Sequence, residues 1–341
     1  MTDRAERIMD FLSDAGWGLA KRTPLAGDAS NRRYERLLLG GRHAVLMDAP
    51  PEKGEDVRPF VQIAEYLIGI GLSAPVIFAR DAKNGLLLIE DLGDDLFSSV
   101  TAAAPDLERE LYVAATDTLI ALHRADPPPN APDYGVETMT AVAGLSSDWY
   151  AMGCGIDGTD TGKEAIAQAL RNAFAMLPEW NPVLVLRDFH AENLLWLPER
   201  APQAAKVGLL DFQDAGMGHP AYDLMSLAHD VRRMVQPETR QAMIEHYAQV
   251  QTLDVGSFTK ACATVSAQRN LRILGVFARL SMHFGKPRYV DIIPAVWSNL
   301  MHDLAHPDLT LLRDAVSTHL PEPTPARLNR LKDLCVTAPM P

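Results

Sequence analysis

The sequence predicts an α+β chain in two lobes: a small antiparallel sheet with one helix over residues 1–93, and a larger, mainly helical lobe over residues 94–341. Three observations predict it. Before Gly93, short apolar runs alternate with turn residues, as in strands joined by hairpins. After Gly93, the apolar spacing becomes helical over long stretches. Inside that helical part, two short apolar runs, "NPVLVLRDF" and "KVGLLDFQD", each end on an acid.

Each element follows from its local pattern. "MDFLSDAGW" reads as an opening helix, and "RRYERLLLGGRHAVLMDAP" as two strands turned at Gly40-Gly41. Phe60, Ile63, Ala64, Leu67 and Ile68 have helical spacing. "APVIFARD" and "GLLLIEDLG" are two further strands around the turn "DAKNG". The lobe boundary is expected near Leu92 to Asp95. Beyond it, "DLERELYVAATDTLIALHRA" and "KEAIAQALRNAFAML" are helices, separated by a loop in which Pro127, Pro128 and Pro129 forbid helix. From Ala221 to His302 the pattern is helical almost throughout, with one short hairpin-like element before it. The Pro-rich tail "PEPTPARLNRLKDLCVTAPMP" is expected to be loosely held.

Composition narrows the partners. A net charge of -12 argues against nucleic acid, whose phosphates are bound by Lys and Arg. Three scattered cysteines form no disulfide framework and no zinc pattern, which suits a reducing cytoplasm. No run reaches the ~18 apolar residues of a membrane span. A soluble cytoplasmic protein that binds neither nucleic acid nor membrane is expected.

Several motifs fail on context. "GCGIDG" matches a dinucleotide loop by letter but follows no buried strand. "TDTGKE" lacks the first Gly and the Ser or Thr of a phosphate loop. There is no G-x-S-x-G and no H-E-x-x-H.

What remains is a set of oxygen donors at strand ends. Arg187-Asp188 is followed, after four residues, by Asn193, and Asp211-Phe212 comes 18 residues after that Asn. Phosphoryl transfer needs a carboxylate to take the proton of an attacking hydroxyl, and hard oxygens to hold magnesium beside ATP phosphates. Asp188 fits the first role; Asn193 and Asp211 fit the second.

"LRDFHAENLLW", "GLLDFQDAGMGHPAYDLMSL" and "LIALHRAD" resemble the aminoglycoside phosphotransferase family, which implies a protein-kinase-like fold and the cofactors ATP and Mg. The resemblance implies that Asp223, in the Gly218-x-Pro220-x-x-Asp223 stretch, braces the catalytic loop. "GDASNRRYERL", "VLMDAPPE", the "DWY" at Asp148 to Tyr150 and "LLDFQD" are similar to one branch, the anomeric N-acetylmuramate/N-acetylglucosamine kinases of bacterial cell-wall recycling. By that resemblance Gly27, Asp28, Ala29, Ser30 and Asn31 turn over the ATP phosphates, and Glu90 to Leu92 form the hinge against adenine. A small amino sugar is the implied substrate. Asp48, Trp149, Tyr150 and Asp214 are candidates to touch it.

One departure stands out. Met47 occupies the position of the usual third-strand Lys, although Glu65 sits on the helix where that Lys would find its partner. Arg33 or Arg36 is expected to supply the missing charge, the choice depending on strand register. From Val231 to Val290, nine Lys and Arg stand against three Asp and Glu, which favours an acidic substrate such as N-acetylmuramate over a cationic one. Two alternatives keep the same motifs: an aminoglycoside, choline or homoserine kinase, and a catalytically degenerate ATP-binding module.

Overall fold

The computed structural model describes residues 4–25 and 31–336. The chain divides into two compact units. The first comprises residues 1–107, 117–129 and 191–215; the second takes 108–116, 130–190 and 216–341.

The first unit opens with helix α1 (Arg4–Asp14), followed by strands β1 (Lys21–Leu25), β2 (Arg33–Leu39) and β3 (Arg42–Asp48). Gly40 and Gly41 both have positive φ, 56° and 80°, as a two-residue hairpin of primed type demands. Helix α2 (Arg58–Gly69) comes next, then β4 (Ile77–Asp81) and β5 (Leu86–Ile89). The five strands form one antiparallel sheet in the order β1-β2-β3-β5-β4. Side chains alternate across it. Leu37, Ala44, Leu46, Leu86 and Leu88 share one face and form a core with Ile8, Leu12 and Trp17 of the opening segment. Each such buried aliphatic contributes roughly 1.5–3 kcal/mol relative to exposure.

Two elements from later in the chain complete this unit. Helix α3 (Phe97–Ala103) is followed by helix α4 (Glu108–Arg124), whose residues from Asp117 onward belong here. Far along the sequence, β7 (Leu194–Trp196) and β8 (Val207–Leu209) pair as a hairpin. Leu209 donates its amide to the Ser73 carbonyl at 2.7 Å, and the Ser73 hydroxyl donates to the Ala205 carbonyl at 2.6 Å. These bonds tie the hairpin to the segment after α2. The division therefore differs from a single boundary near Leu92 to Asp95.

The second unit is mainly helical. It holds α5 (Val136–Ala143), a π-helical segment (Ser146–Ala151), α6 (Thr159–Ala175), α7 (Ala221–Ala228) and α8 (Pro237–Val250). The long α9 (Val255–Met282), α10 (Ile293–Leu304), α11 (Thr310–His319) and α12 (Pro325–Asp333) complete it. A small sheet, the one among its described residues, pairs β6 (Val183–Val185) with β9 (Gly216–Gly218). The two apolar runs that end on acids are thus not partners of each other.

Helix α9 is the axis of this unit. Asp254 caps it, its carboxylate accepting from the Ser257 amide at 2.8 Å. Gly275 lets α9 lie against the backbone at Leu145: a Cβ there would fall 2.2 Å from the Leu145 carbonyl. As far as residue 336, the tail is better held than its composition suggests. Pro325 starts α12, Leu331 is buried, and Arg330 donates from Nε to the Gly153 carbonyl at 3.0 Å.

Candidate active site

The segment carrying Asp188 belongs to the second unit. It leaves β6 and reaches Asp188 within three residues. Asp223, on the first turn of α7, is fully buried. Its two oxygens accept the amides of Leu186 at 2.5 Å and Arg187 at 2.9 Å. Burial pushes the Asp223 carboxyl up to about 7, the two amide donors acting against the shift and the nearby Asp188 adding to it. Arg187 adopts φ 72°, a left-handed conformation unusual for a side chain of its size, and its guanidinium lies 4.6 Å from the centre of the Tyr134 ring. Phe189 and His190 are buried, while Asp188 is only partly so. The neighbours anchor the loop, and Asp188 itself is partly exposed.

Asn193 and Asp211 belong to the first unit, at one end of the β7–β8 hairpin. The Leu210 amide donates to the Asn193 carbonyl at 3.0 Å, so the two residues flank one point of the ladder. Asp211 also has positive φ, 56°, and accepts from Gln213 Nε2 at 2.9 Å. Left-handed backbone at a non-glycine costs about 1–3 kcal/mol and persists only where its surroundings enforce it. Phe212 is buried next door, stacked on Phe60 of α2 with centroids 4.8 Å apart. One carboxylate and one amide oxygen, both partly exposed, match the hard-donor set of magnesium, which keeps waters and phosphate oxygens for its other positions. These two residues fit the ion.

The rest of the first unit holds the residues expected to meet the nucleotide. Register places Tyr34 opposite Met47 and Arg36 opposite Val45, with Leu87 and Ile89 beyond. This is the face turned away from α1. Met47 is buried to 1% exposure. Glu65 is exposed and pairs with Arg80 at 3.0 Å, so neither half of a Lys–Glu pair is present here. Glu90, expected at the hinge, donates its amide to the Val76 carbonyl at 2.8 Å, and its carboxylate takes Arg200 at 2.5 Å. Leu92 packs close to Gly208 of β8, where an added Cβ would lie 3.2 Å from the leucine.

The candidates for the missing charge separate by face. Arg33 pairs in register with Asp48 and is exposed on the α1 side. Arg36 lies on the Met47 side but is held by Asp91 at 2.7 Å and Asp94 at 2.8 Å, with Asp94 foremost in keeping it charged. Sequence reasoning missed Arg32. Its Nε donates to Glu55 at 2.9 Å and its side chain bonds Tyr34. Burial opposes that cation, yet Tyr34 and Glu55 together raise it above its ordinary pKa. Burial likewise raises the Tyr34 phenol; Arg32 opposes the shift and Asp211 adds to it. Arg32, Tyr34 and Asp211 therefore lie in one electrostatic neighbourhood, and Glu55 also accepts the Asn31 amide at 3.0 Å.

The expected sugar contacts fare differently. Asp48 lies on the α1 face, where Arg4 donates to it through Nε at 3.0 Å and through Nη2 as well. A carboxylate fixed there is turned away from Met47. Trp149 and Tyr150 are buried in the π-helical segment; the Tyr150 hydroxyl donates to the Pro321 carbonyl at 2.7 Å, and Trp149 lies 6.0 Å from the His283 ring. Tyr150 is spent on the core. Asp214 is exposed, three residues beyond Asp211. Gly27, Asp28, Ala29 and Ser30 lie outside the described residues.

Residues 21–258 match the model of the phosphotransferase enzyme family. The chain belongs to that family. It is an ATP-dependent phosphotransferase, and its fold is that of the protein-kinase-like members. An N-acetylmuramate/N-acetylglucosamine kinase of Caulobacter vibrioides is 38% identical, over 92% of this chain and 96% of that protein. One of the same name from Pseudomonas aeruginosa is 33% identical, over 89% of this chain and 90% of that protein. Among solved structures, a choline/ethanolamine kinase family protein from Mesorhizobium loti superposes with a TM-score of 0.61. It is 13% identical and covers 93% of this chain and 100% of that one, a likeness of fold.

Proposed function

We propose that this phosphotransferase family member phosphorylates the anomeric hydroxyl of N-acetylmuramate or N-acetylglucosamine, using magnesium-ATP and releasing the sugar 1-phosphate and ADP. The observation that carries the reading is the likeness, along 92% of the chain, to a kinase named for those two sugars. The placement of the oxygen donors supports it.

The roles follow from the donors. Asp188 orients the hydroxyl at carbon 1 and takes its proton as that oxygen bonds to the γ-phosphorus. The bond from that phosphorus to the bridging oxygen breaks, and ADP leaves. Asn193 and Asp211 would hold magnesium, which when bound neutralises charge on the β- and γ-phosphate oxygens. Arg32, rather than Arg33, supplies the cation that Met47 cannot. Glu90 to Leu92 meet adenine with backbone groups, and the stretch from Gly27 to Asn31 binds the phosphates. Asp223 positions the loop of Asp188 without touching substrate. Most of the rate comes from positioning and charge neutralisation, since no covalent bond to the protein forms.

A sugar 1-phosphate made this way suits recycling of cell-wall amino sugars towards a UDP-sugar, in the cytoplasm. The test is ADP release with magnesium-ATP across N-acetylmuramate, N-acetylglucosamine, glucose, kanamycin, choline and homoserine, with phosphorus NMR of the product. A phosphate on carbon 1 of an N-acetyl sugar is expected. Turnover only of kanamycin or an amino alcohol would overturn the substrate.

A further inference from the structure

Helix α9 is buried on almost every side from Thr264 to its end at Met282. Four residues of that stretch are only partly buried: Arg272, Val276, Arg279 and Leu280. They recur at intervals of three and four, so they form one stripe along the helix. Two of the four are arginines, two turns apart, and the fully enclosed Arg269 lies one turn before them. Of these three guanidinium groups, Arg272 is bonded to the Tyr222 side chain.

The charges around the stripe do not balance. Asp188 lies in the field of both Arg269 and Arg272, and Asp230 in that of Arg269. Asp230 is also shared with Arg232, at 3.9 Å. Arg279 has no carboxylate partner among the described residues. Its neighbours are the Phe284 ring, 6.0 Å from the guanidinium, and Arg272, whose like charge works with burial to disfavour the cation. The Nε atoms of Arg269 and Arg279 are enclosed without a hydrogen-bond acceptor. A buried N–H without an acceptor and two adjoining like charges are both costly, and one anion would relieve both costs.

We infer that Arg279, with Arg272 beside it, recognises a carboxylate on the acceptor sugar, and so selects N-acetylmuramate over N-acetylglucosamine. The inference rests on the proposed function. The two sugars differ by a lactyl ether that ends in a carboxylate. Arginine is suited to that group, offering a planar fork that holds two oxygens at once. Arg272 links the two ends of the stripe: it senses Asp188, which takes the hydroxyl proton, and Arg279, which meets the carboxylate. This is also the stretch where the sequence concentrates its positive charge, nine Lys and Arg against three acids from Val231 to Val290.

The test compares kcat/KM for the two sugars in the full chain and in Arg279→Gln and Arg279→Lys. The ratio of N-acetylmuramate to N-acetylglucosamine is expected to fall about 10- to 100-fold in Arg279→Gln, as for a lost hydrogen bond to a charged group, with Lys intermediate. An unchanged ratio in both variants would overturn the inference, even if both activities fell together. A second comparison needs no variant: wild-type enzyme with N-acetylmuramate against its methyl ester. The ester is expected to be poorer by a similar factor, and equal kcat/KM would overturn the inference. Wild-type enzyme that phosphorylates neither sugar would instead overturn the proposed function, and this inference with it.

Discussion

Glu55 holds Arg32 by a 2.9 Å bond to Nε, and Arg32 also bonds Tyr34, the register partner of Met47. The acid comes from the segment before α2 and the base from the residue before β2, so the pair bridges two elements as a Lys–Glu pair would. Arg32→Ala is expected to raise the KM for ATP about tenfold, the scale of one charge-assisted contact, with a smaller change in the KM for sugar. Arg33→Ala is the comparison, since that side chain lies on the α1 face. Equal effects of the two on ATP would remove the face argument.

Asp188→Asn keeps the size of the side chain but cannot take a proton. A loss of about 10²–10⁴-fold in kcat is expected. Single-turnover measurement of phosphoryl transfer separates this from slow product release.

Asp223 gives a pH signature. Its carboxyl titrates near 7 in the folded chain against 3.8 unfolded, so the folded state holds the proton more tightly. The contribution to stability is fully present below pH 3.8 and is lost as pH rises through 7. Relative to Asp223→Asn, which does not titrate, wild-type stability to urea is expected to decline from pH 5 to pH 8. A constant difference across that range would refute the sign. The same variant is expected to lower kcat more than either KM, because Asp223 acts through the Leu186 and Arg187 amides.

Gly275→Ala places a methyl group against the Leu145 backbone, with no flexible side chain to yield. Overpacking of this kind costs about 1–3 kcal/mol. A lower midpoint in urea, with an unchanged slope, is the expected outcome.

Local spacing carried much of this in the sequence. The Gly40-Gly41 turn, the helical run from Phe60 and the order of Asp188, Asn193, Asp211 and Asp223 are set by residues close together along the chain. Facing was not legible. Arg32 and Arg33 are neighbours with identical chemistry, and a one-residue slip of register exchanges their faces. The same uncertainty hid the pairing of Asp48 with Arg4 and of Glu65 with Arg80. The arginine stripe registered only as a local excess of charge, because its meaning depends on which side of α9 is covered. In the tail, proline content masked a helix that starts on Pro325 and is anchored by Leu331.

The path of the chain bears on its biosynthesis. The polypeptide crosses from one compact unit to the other five times, and the last stretch of the first unit ends at residue 215. That stretch contains Asn193, Asp211 and the hairpin bonded to Ser73. Translation proceeds at about 5–20 residues per second, so the five-stranded sheet emerges many seconds before the residues that finish its unit. Cutting the gene at residue 93 or 107 would yield a nascent sheet lacking Asn193, Asp211 and the partner of Ser73. A fragment carrying the whole first unit must therefore be assembled from separated parts of the gene.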